Sequence, residues 1–162
     1  MTYGATVTTT FTVTAGGAAF AGKPARLCLA ERAATTLTCR SVTTSATGTV
    51  VLKRTVTAPY RVALTVPATA TNHAATSPTY AYTVRATAAL TVRDAATLVA
   101  AVNGVNGQVV RLQRLDGSRW TTVKTFRAAS STTLGRTARG TYRMVVPDTA
   151  SIIGVATRAV TL

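Results

Sequence analysis

The chain has 162 residues and a formal net charge of +14, because 18 Lys and Arg residues stand against only four Asp and Glu. No run approaches the roughly 18 consecutive apolar residues of a membrane-spanning helix, so we predict no membrane span. One His and two Cys supply too few ligands for a zinc site, and we predict neither a metal nor a cofactor.

The first half of the chain is predicted to form short β-strands. Val7, Phe11 and Val13 alternate with Thr in the run 6–14, which indicates a half-buried strand with a Thr-coated outer face. Gly16-Gly17 ends this run. Further β-branched runs separated by turn residues predict strands at 25–32, 36–43, 49–56, 60–66 and 79–85.

The second half repeats this pattern after an additional opening strand. The strands predicted there are 89–93, 97–102, 109–115, 120–126, 132–137, 141–146 and 157–162. Asp116-Gly117 marks a tight hairpin turn between two of them. Short strands at this spacing, without any helical period, are typical of an antiparallel β-sandwich.

Equivalent residues recur along the chain and divide it into two domains. Leu27, Leu29, Leu37 and Thr38 return 83 positions later as Val110, Leu112, Trp120 and Thr121, and Tyr60-Arg61 returns 82 positions later as Tyr142-Arg143. We therefore predict two tandem sandwiches, residues 1–85 and 86–162, the first of them without its opening strand. Each half carries +7: eight cations and one acid up to Arg85, ten cations and three acids beyond it.

The sequence of the two copies resembles that of the immunoglobulin-like repeats found in tandem on exported actinobacterial proteins. The likeness rests on three short segments, Tyr3-Gly4-Ala5-Thr6-Val7, the hairpin 110–123 with its Leu-Gln-Arg strand and Trp-Thr-Val return, and Gly140-Thr141-Tyr142-Arg143. It implies an immunoglobulin-like sandwich, a secreted or cell-surface location, and a role as spacer, stalk or binding module. We accordingly expect further domains upstream in the same protein.

Cys28 and Cys39 are predicted to form a disulfide across one hairpin. A turn centred between Ala33 and Ala34 places them directly opposite each other on adjacent strands, where cross-strand Cβ atoms lie close enough for a bond. Such a bond implies an oxidising compartment. Two buried free thiols are the alternative interpretation.

Trp120 is the only Trp, and its environment stays open at this stage. The candidate ligand contacts are Arg111, Gln113, Arg119, Trp120 and Lys124. With the turn centred on Asp116-Gly117, Trp120 faces Gln113 and lies outward beside Arg111 and Lys124, where it either stacks on a sugar ring or a partner's aromatic group or has no binding role. A one-residue bulge would instead turn it into the core. Val123 is predicted to point inward.

Tyr60 and Tyr142 begin equivalent strands, and we predict structural roles for both.

The sequence predicts a non-catalytic protein. The four acids are scattered, the single His lies in a loop, and neither a nucleophile elbow nor a phosphate-binding loop is present. Our main prediction is an extracellular stalk, spacer or adhesive unit. The alternatives are binding of an anionic cell-wall polymer or polysaccharide by Arg-rich strand faces, with nucleic acid bound only non-specifically, and carbohydrate binding through Trp120.

Overall fold

The computed structural model describes residues 1–31, 34–135 and 137–162. Every regular element in these ranges is a β-strand, and the strands pair antiparallel in all of the sheets. The all-β class predicted from the sequence is therefore confirmed. The predicted strand end at Arg32, the predicted turn at Ala33 and Arg136 of the predicted strand 132–137 lie outside the described residues.

The chain divides into two compact units. The N-terminal unit is Ala5–Thr83, and the C-terminal unit is Val84–Leu162 together with Met1–Gly4. The first four residues, which sequence repetition assigns to the first domain, lie in the C-terminal unit because Arg85 donates its backbone N–H to Met1 and accepts one from Tyr3. A pairing between segments about 80 residues apart cannot be predicted from short-range sequence patterns.

The described residues of the N-terminal unit form nine strands, arranged in two main sheets and a small hairpin. Its strands are β1 (Thr6–Thr12), β2 (Thr14–Ala15), β3 (Ala18–Ala19), β4 (Pro24–Glu31), β5 (Thr38–Thr43), β6 (Thr49–Thr55), β7 (Tyr60–Val66), β8 (Ala75–Thr76) and β9 (Tyr80–Tyr82). One main sheet is the pair β1-β6. The other has the order β5-β4-β7-β8, and β9 also pairs with β7.

In the C-terminal unit, the part of the chain that the structure describes forms eight strands in two sheets. They are β10 (Thr87–Asp94), β11 (Thr97–Asn103), β12 (Val109–Asp116), β13 (Arg119–Arg127), β14 (Thr132–Leu134), β15 (Thr141–Val146), β16 (Val155–Ala156) and β17 (Val160–Thr161). Their sheet orders are β10-β11-β14 and β13-β12-β15-β16, with β17 also on β15. Apart from β10 and the β2-β3 hairpin, the pairing scheme is that of the N-terminal unit.

Alternating side chains bring the two sheets of each unit together around an apolar core. In the C-terminal unit, Leu98, Leu112, Leu134 and Met144 from both sheets are almost completely buried. Phe11, Val62 and Leu64 are likewise buried in the core of the N-terminal unit. Because side chains in a strand point alternately to opposite faces, residues between these lie outward. Each unit is thus an immunoglobulin-like antiparallel sandwich.

Candidate functional site

The disulfide predicted between Cys28 and Cys39 is confirmed. The two sulfur atoms are 2.04 Å apart, and the residues are direct partners in the β4-β5 register. Cys28 is opposite Ala63 of β7, and the side chains of Val62 and Leu64 on either side of Ala63 point inward. Cys28 and Cys39 therefore lie on the face of their sheet that points away from the other sheet. The bond therefore ties β4 to the edge strand β5 across one hairpin instead of connecting the two sheets.

The β12-β13 hairpin differs from its predicted register. Asp116 pairs with Arg119, so the turn residues are Gly117 and Ser118, and Gly117 takes a positive φ of 58° that suits glycine. Trp120 consequently faces Leu115 and not Gln113. The predicted turn was wrong by one residue, because Asp-Gly and Gly-Ser both satisfy the local preference for turns.

A bulge then shifts the remainder of this hairpin. Gln113 pairs with Thr122 whereas Leu112 pairs with Lys124, which leaves Val123 as an extra residue on β13. Val123 is 51% exposed, so the predicted inward orientation was wrong. Lys124 shares the parity of the inward Leu112, and Arg119 shares that of Asp116. The structure thus separates Lys124 and Arg119 from the outward residues beside Trp120.

The outward surface near this hairpin, named here the Trp120 face, comprises Arg111, Gln113, Trp120, Thr122 and Arg143. Gln113 is the register partner of Arg143, whose Nε donates to Gln113 Oε1 at 2.8 Å. The Arg143 guanidinium carbon lies 4.4 Å from the centroid of the Trp120 ring, in cation–π contact. Trp120 is half-buried. One side of its ring is therefore covered by the protein itself, which restricts sugar stacking to the other.

Arg143 was not among the predicted contact residues, although the sequence contains a signal for it. It alternates with the inward Tyr142 and Met144 and recurs as Arg61 in the first copy. Arg61 donates to the backbone carbonyls of Ala34 and Thr35 at 2.6 and 3.1 Å. The equivalent arginines thus reach toward the same hairpin in both units, to the backbone in one and to Gln113 and Trp120 in the other.

The described cations of the C-terminal unit form no ion pair with a carboxylate side chain. Among the described residues the single ion pair between side chains is Arg54–Glu31, which belongs to the N-terminal unit. Asp94 and Asp148 instead accept backbone N–H groups of Ala96 and Gly154 at 2.9 and 2.7 Å. Arg111, which is exposed, and Arg143, which is half-buried, therefore have no carboxylate partner among the described residues.

The two equivalent tyrosines differ in their hydrogen bonding. Tyr142 Oη donates to the carbonyl of Ala138 at 2.6 Å, the backward bond of a tyrosine corner. Tyr60 stacks on Tyr82 with a centroid distance of 4.7 Å, and its buried hydroxyl has no hydrogen-bond partner among the described residues. Burial raises the pKa of Tyr60. Both tyrosines lie at the start of their strand, in the core.

Asp94 makes the β10-β11 turn pH-dependent. The N–H of Ala96 donates to its carboxylate and, with Thr97, lowers the pKa of Asp94 below its usual value of 3.8. A lowered native pKa gives stability that is present above the unfolded value and is lost as pH falls through the native one. We expect the protection factor of the Ala96 amide (the intrinsic exchange rate divided by the observed rate at the same pH) to fall below about pH 4 in the native chain and to be low at every pH in Asp94→Ala. Equal acid sensitivity in both proteins would contradict this.

Neither a metal centre nor a membrane helix is found in the described part of the chain. No three His, Cys, Asp or Glu side chains lie together there in a way that could hold a metal ion. No helix long and apolar enough to cross a membrane occurs within the same ranges.

Comparison with solved structures gives distant likenesses. The chain is similar to the FN1–FN3 domains of chicken CNTN1, with 13% identity and a TM-score of 0.34 over 99% of this chain and 60% of that one. It is also similar to the D0–D1 domain of intimin, with 18% identity and a TM-score of 0.32 over 99% of this chain and 91% of that one. The chain thus spans 60% of the length of the first structure. No protein-family model and no curated protein matches it.

Proposed function

We propose that the chain is a non-catalytic extracellular module, acting as a stalk, spacer or adhesive unit of a larger exported protein and located at the cell surface or secreted. The observation that carries this proposal is the Cys28–Cys39 disulfide, since such bonds persist in oxidising compartments and are reduced in the cytosol. A small sandwich with a limited core also gains most from such a cross-link.

The location can be tested by thiol trapping in the source organism. Intact cells are treated with a membrane-impermeant reductant, and newly exposed thiols are then labelled and identified by mass spectrometry. An extracellular chain yields labelled Cys28 and Cys39 only after reductant is added. Recovery of both cysteines as free thiols before reduction, in the cytosolic fraction, would overturn the proposed location.

A second function is favoured by the unpaired cations of the C-terminal unit. We propose that the Trp120 face binds a polyanion of the cell-wall polymer or acidic polysaccharide type, and nucleic acid only non-specifically. Arg143 is held by Gln113 and by the Trp120 ring, which lowers the entropy lost when its guanidinium contacts an anion. Arg111 lies on the same outward face, one alternate position from Gln113 on β12.

This proposal predicts a steep dependence of binding on salt. Retention on immobilised heparin should fall linearly on a log–log scale with salt concentration, because each neutralised anionic group releases a counterion. Arg111→Gln should weaken binding at low salt and reduce the magnitude of the slope by about 1. The chain should be compared over a salt series with constant pH.

The matched control is Arg93→Gln, which removes the same charge from an exposed position on the other sheet of the same unit. A larger loss for Arg111→Gln than for Arg93→Gln supports the Trp120 face as the binding surface. Equal losses would indicate diffuse attraction by net charge and overturn the assignment to this face. Absence of retention at low salt would overturn polyanion binding altogether. Carbohydrate binding through Trp120 would instead appear as a salt-insensitive change in Trp fluorescence on addition of neutral glycans.

A further inference from the structure

The N-terminal unit has an open sheet edge where the C-terminal unit has a strand. In the C-terminal unit, β10 pairs with β11 and contacts β15, β16 and β17 of the facing sheet. The strand of the N-terminal unit that corresponds to β11 is β1, and within the described residues β1 pairs only with β6. The side of β1 that corresponds to the β10 side of β11 therefore lacks a described strand.

Backbone polar groups point out from this edge. Ala5 accepts a hydrogen bond from Val56 and Val13 donates one to Gly48, so the odd-numbered residues of β1 bond toward β6. In an antiparallel pair the alternate residues direct their N–H and C=O groups the other way. Thr8, Thr10 and Thr12 consequently offer the free edge a ladder of donors and acceptors.

An open groove of about 370 Å³ lies beside the edge of β1. This acceptor groove is lined by β1 and the segment after it, by β7, by β8 and by β9, and its lining includes Thr10, Phe11, Thr12, Leu64 and Tyr80. The strands β7, β8 and β9 are the counterparts of the three that β10 contacts in the other unit. The groove thus lies in the N-terminal unit where β10 lies in the C-terminal unit.

The lining of the acceptor groove defines what fits it. It contains no charged side chain, which disfavours a polyanion as its occupant. Tyr80 is 46% exposed in the groove and its ring lies 5.8 Å from that of Phe11. In the other unit Leu90 of β10 supplies the buried side chain and is 6% exposed. An apolar side chain at the equivalent position would cover the exposed part of Tyr80.

We propose that the acceptor groove binds an extended strand of a partner polypeptide, antiparallel to β1, with an uncharged centre and apolar side chains at alternate positions as in β10. The strand would complete the β1 ladder through main-chain hydrogen bonds, and the alternating side chains would supply selectivity. This inference concerns the N-terminal unit and is independent of polyanion binding by the Trp120 face.

The test uses the full chain and a fluorescein-labelled peptide with the sequence of residues 86–95. Fluorescence anisotropy should show saturable binding with a Kd below about 1 mM. A control peptide exchanges the residues at the positions of Leu90 and Thr91, which moves the large apolar side chain to the opposite face and should weaken binding at least about tenfold. Hydrogen exchange should show new protection at Thr8, Thr10 and Thr12 when the first peptide is bound.

Protein variants locate the peptide. Tyr80→Lys places a charge in the groove and should weaken binding at least about tenfold. Val51→Lys is the matched control, since Val51 is a comparably exposed apolar residue, 54%, on β6 of the same unit, and it should leave binding unchanged. Retained far-ultraviolet circular dichroism in both variants verifies that they fold.

Four results of the experiments with peptide would overturn the proposal. They are no binding at millimolar peptide, equal binding of the two peptides, equal losses for the two variants, and peptide-dependent exchange changes confined to β10, β11 and β14. The last would indicate exchange with β10 in the C-terminal unit. Concentration-dependent dimerisation with protection of the β1 amides in the absence of peptide would assign the edge to a second copy of the chain and would equally overturn it.

Discussion

Replacing both Cys28 and Cys39 by Ala should strongly destabilise the N-terminal unit. The bond closes a loop with a sequence separation of 11, and removing it increases the entropy of the unfolded chain at a cost of about 3 kcal/mol. For a domain of this size that cost corresponds to a decrease in Tm of about 10–20 °C. Hydrogen exchange followed residue by residue measures the loss directly, in the amides of β4, β5 and β7.

The C-terminal unit provides an internal control for this experiment because it contains no cysteine. Protection of its β12 and β15 amides should change little in Cys28→Ala/Cys39→Ala. Reduction of the native chain should reproduce the effect of the double variant. Undiminished protection in β4 and β7 would contradict the expected contribution of the bond, and equal losses in both units would show that the effect is not confined to the cross-linked hairpin.

Equivalent Tyr→Phe substitutions in the two copies should have opposite effects on stability. Tyr142→Phe removes the donor to the Ala138 carbonyl and should lower the free energy of unfolding by about 1–2 kcal/mol. Tyr60→Phe removes a buried hydroxyl without a partner among the described residues, and should raise the free energy of unfolding by up to about 1 kcal/mol. Urea unfolding should show shifted midpoints at constant slope.

Tyr82→Phe tests whether the gain in Tyr60→Phe comes from the missing hydrogen bond. Tyr82 lies against Tyr60, and its hydroxyl is 2.8 Å from Thr9 Oγ1, so its removal should destabilise the N-terminal unit. Destabilisation by Tyr60→Phe of the same size as by Tyr82→Phe would contradict the distinction. Stabilisation by Tyr142→Phe would contradict the tyrosine corner.

Much of the fold follows from local patterns. The predicted strands at 60–66 and 141–146 coincide with β7 and β15, and alternation places Phe11 in the core as expected. The register of Cys28 opposite Cys39 is also as predicted. These features depend on side-chain parity and on residues close in sequence, both of which are visible in one dimension.

The candidate site could be predicted only in part. Arg111, Gln113 and Trp120 share the outward parity of the hairpin, but the bulge at Val123 moves Lys124 to the other parity. A bulge inserts one residue at a point that no local preference marks, and it reverses every later assignment of inward and outward on that strand. Arg143 on β15 and Trp120 on β13 belong to strands that flank β12 on opposite sides. Predicting their contact would therefore have needed both the strand order and the strand register.

The sequence by itself determined the β class, the doubled pattern and the Cys28–Cys39 hairpin, because strand periodicity and turn residues act over short distances. The tertiary structure decided which cations share a face with Trp120 and which tyrosine hydroxyl is satisfied. It also decided that Met1–Gly4 pairs within the C-terminal unit and that one edge of β1 has no described neighbour. These outcomes depend on pairings between strands distant in sequence, whose geometry is set by the packing of the complete core.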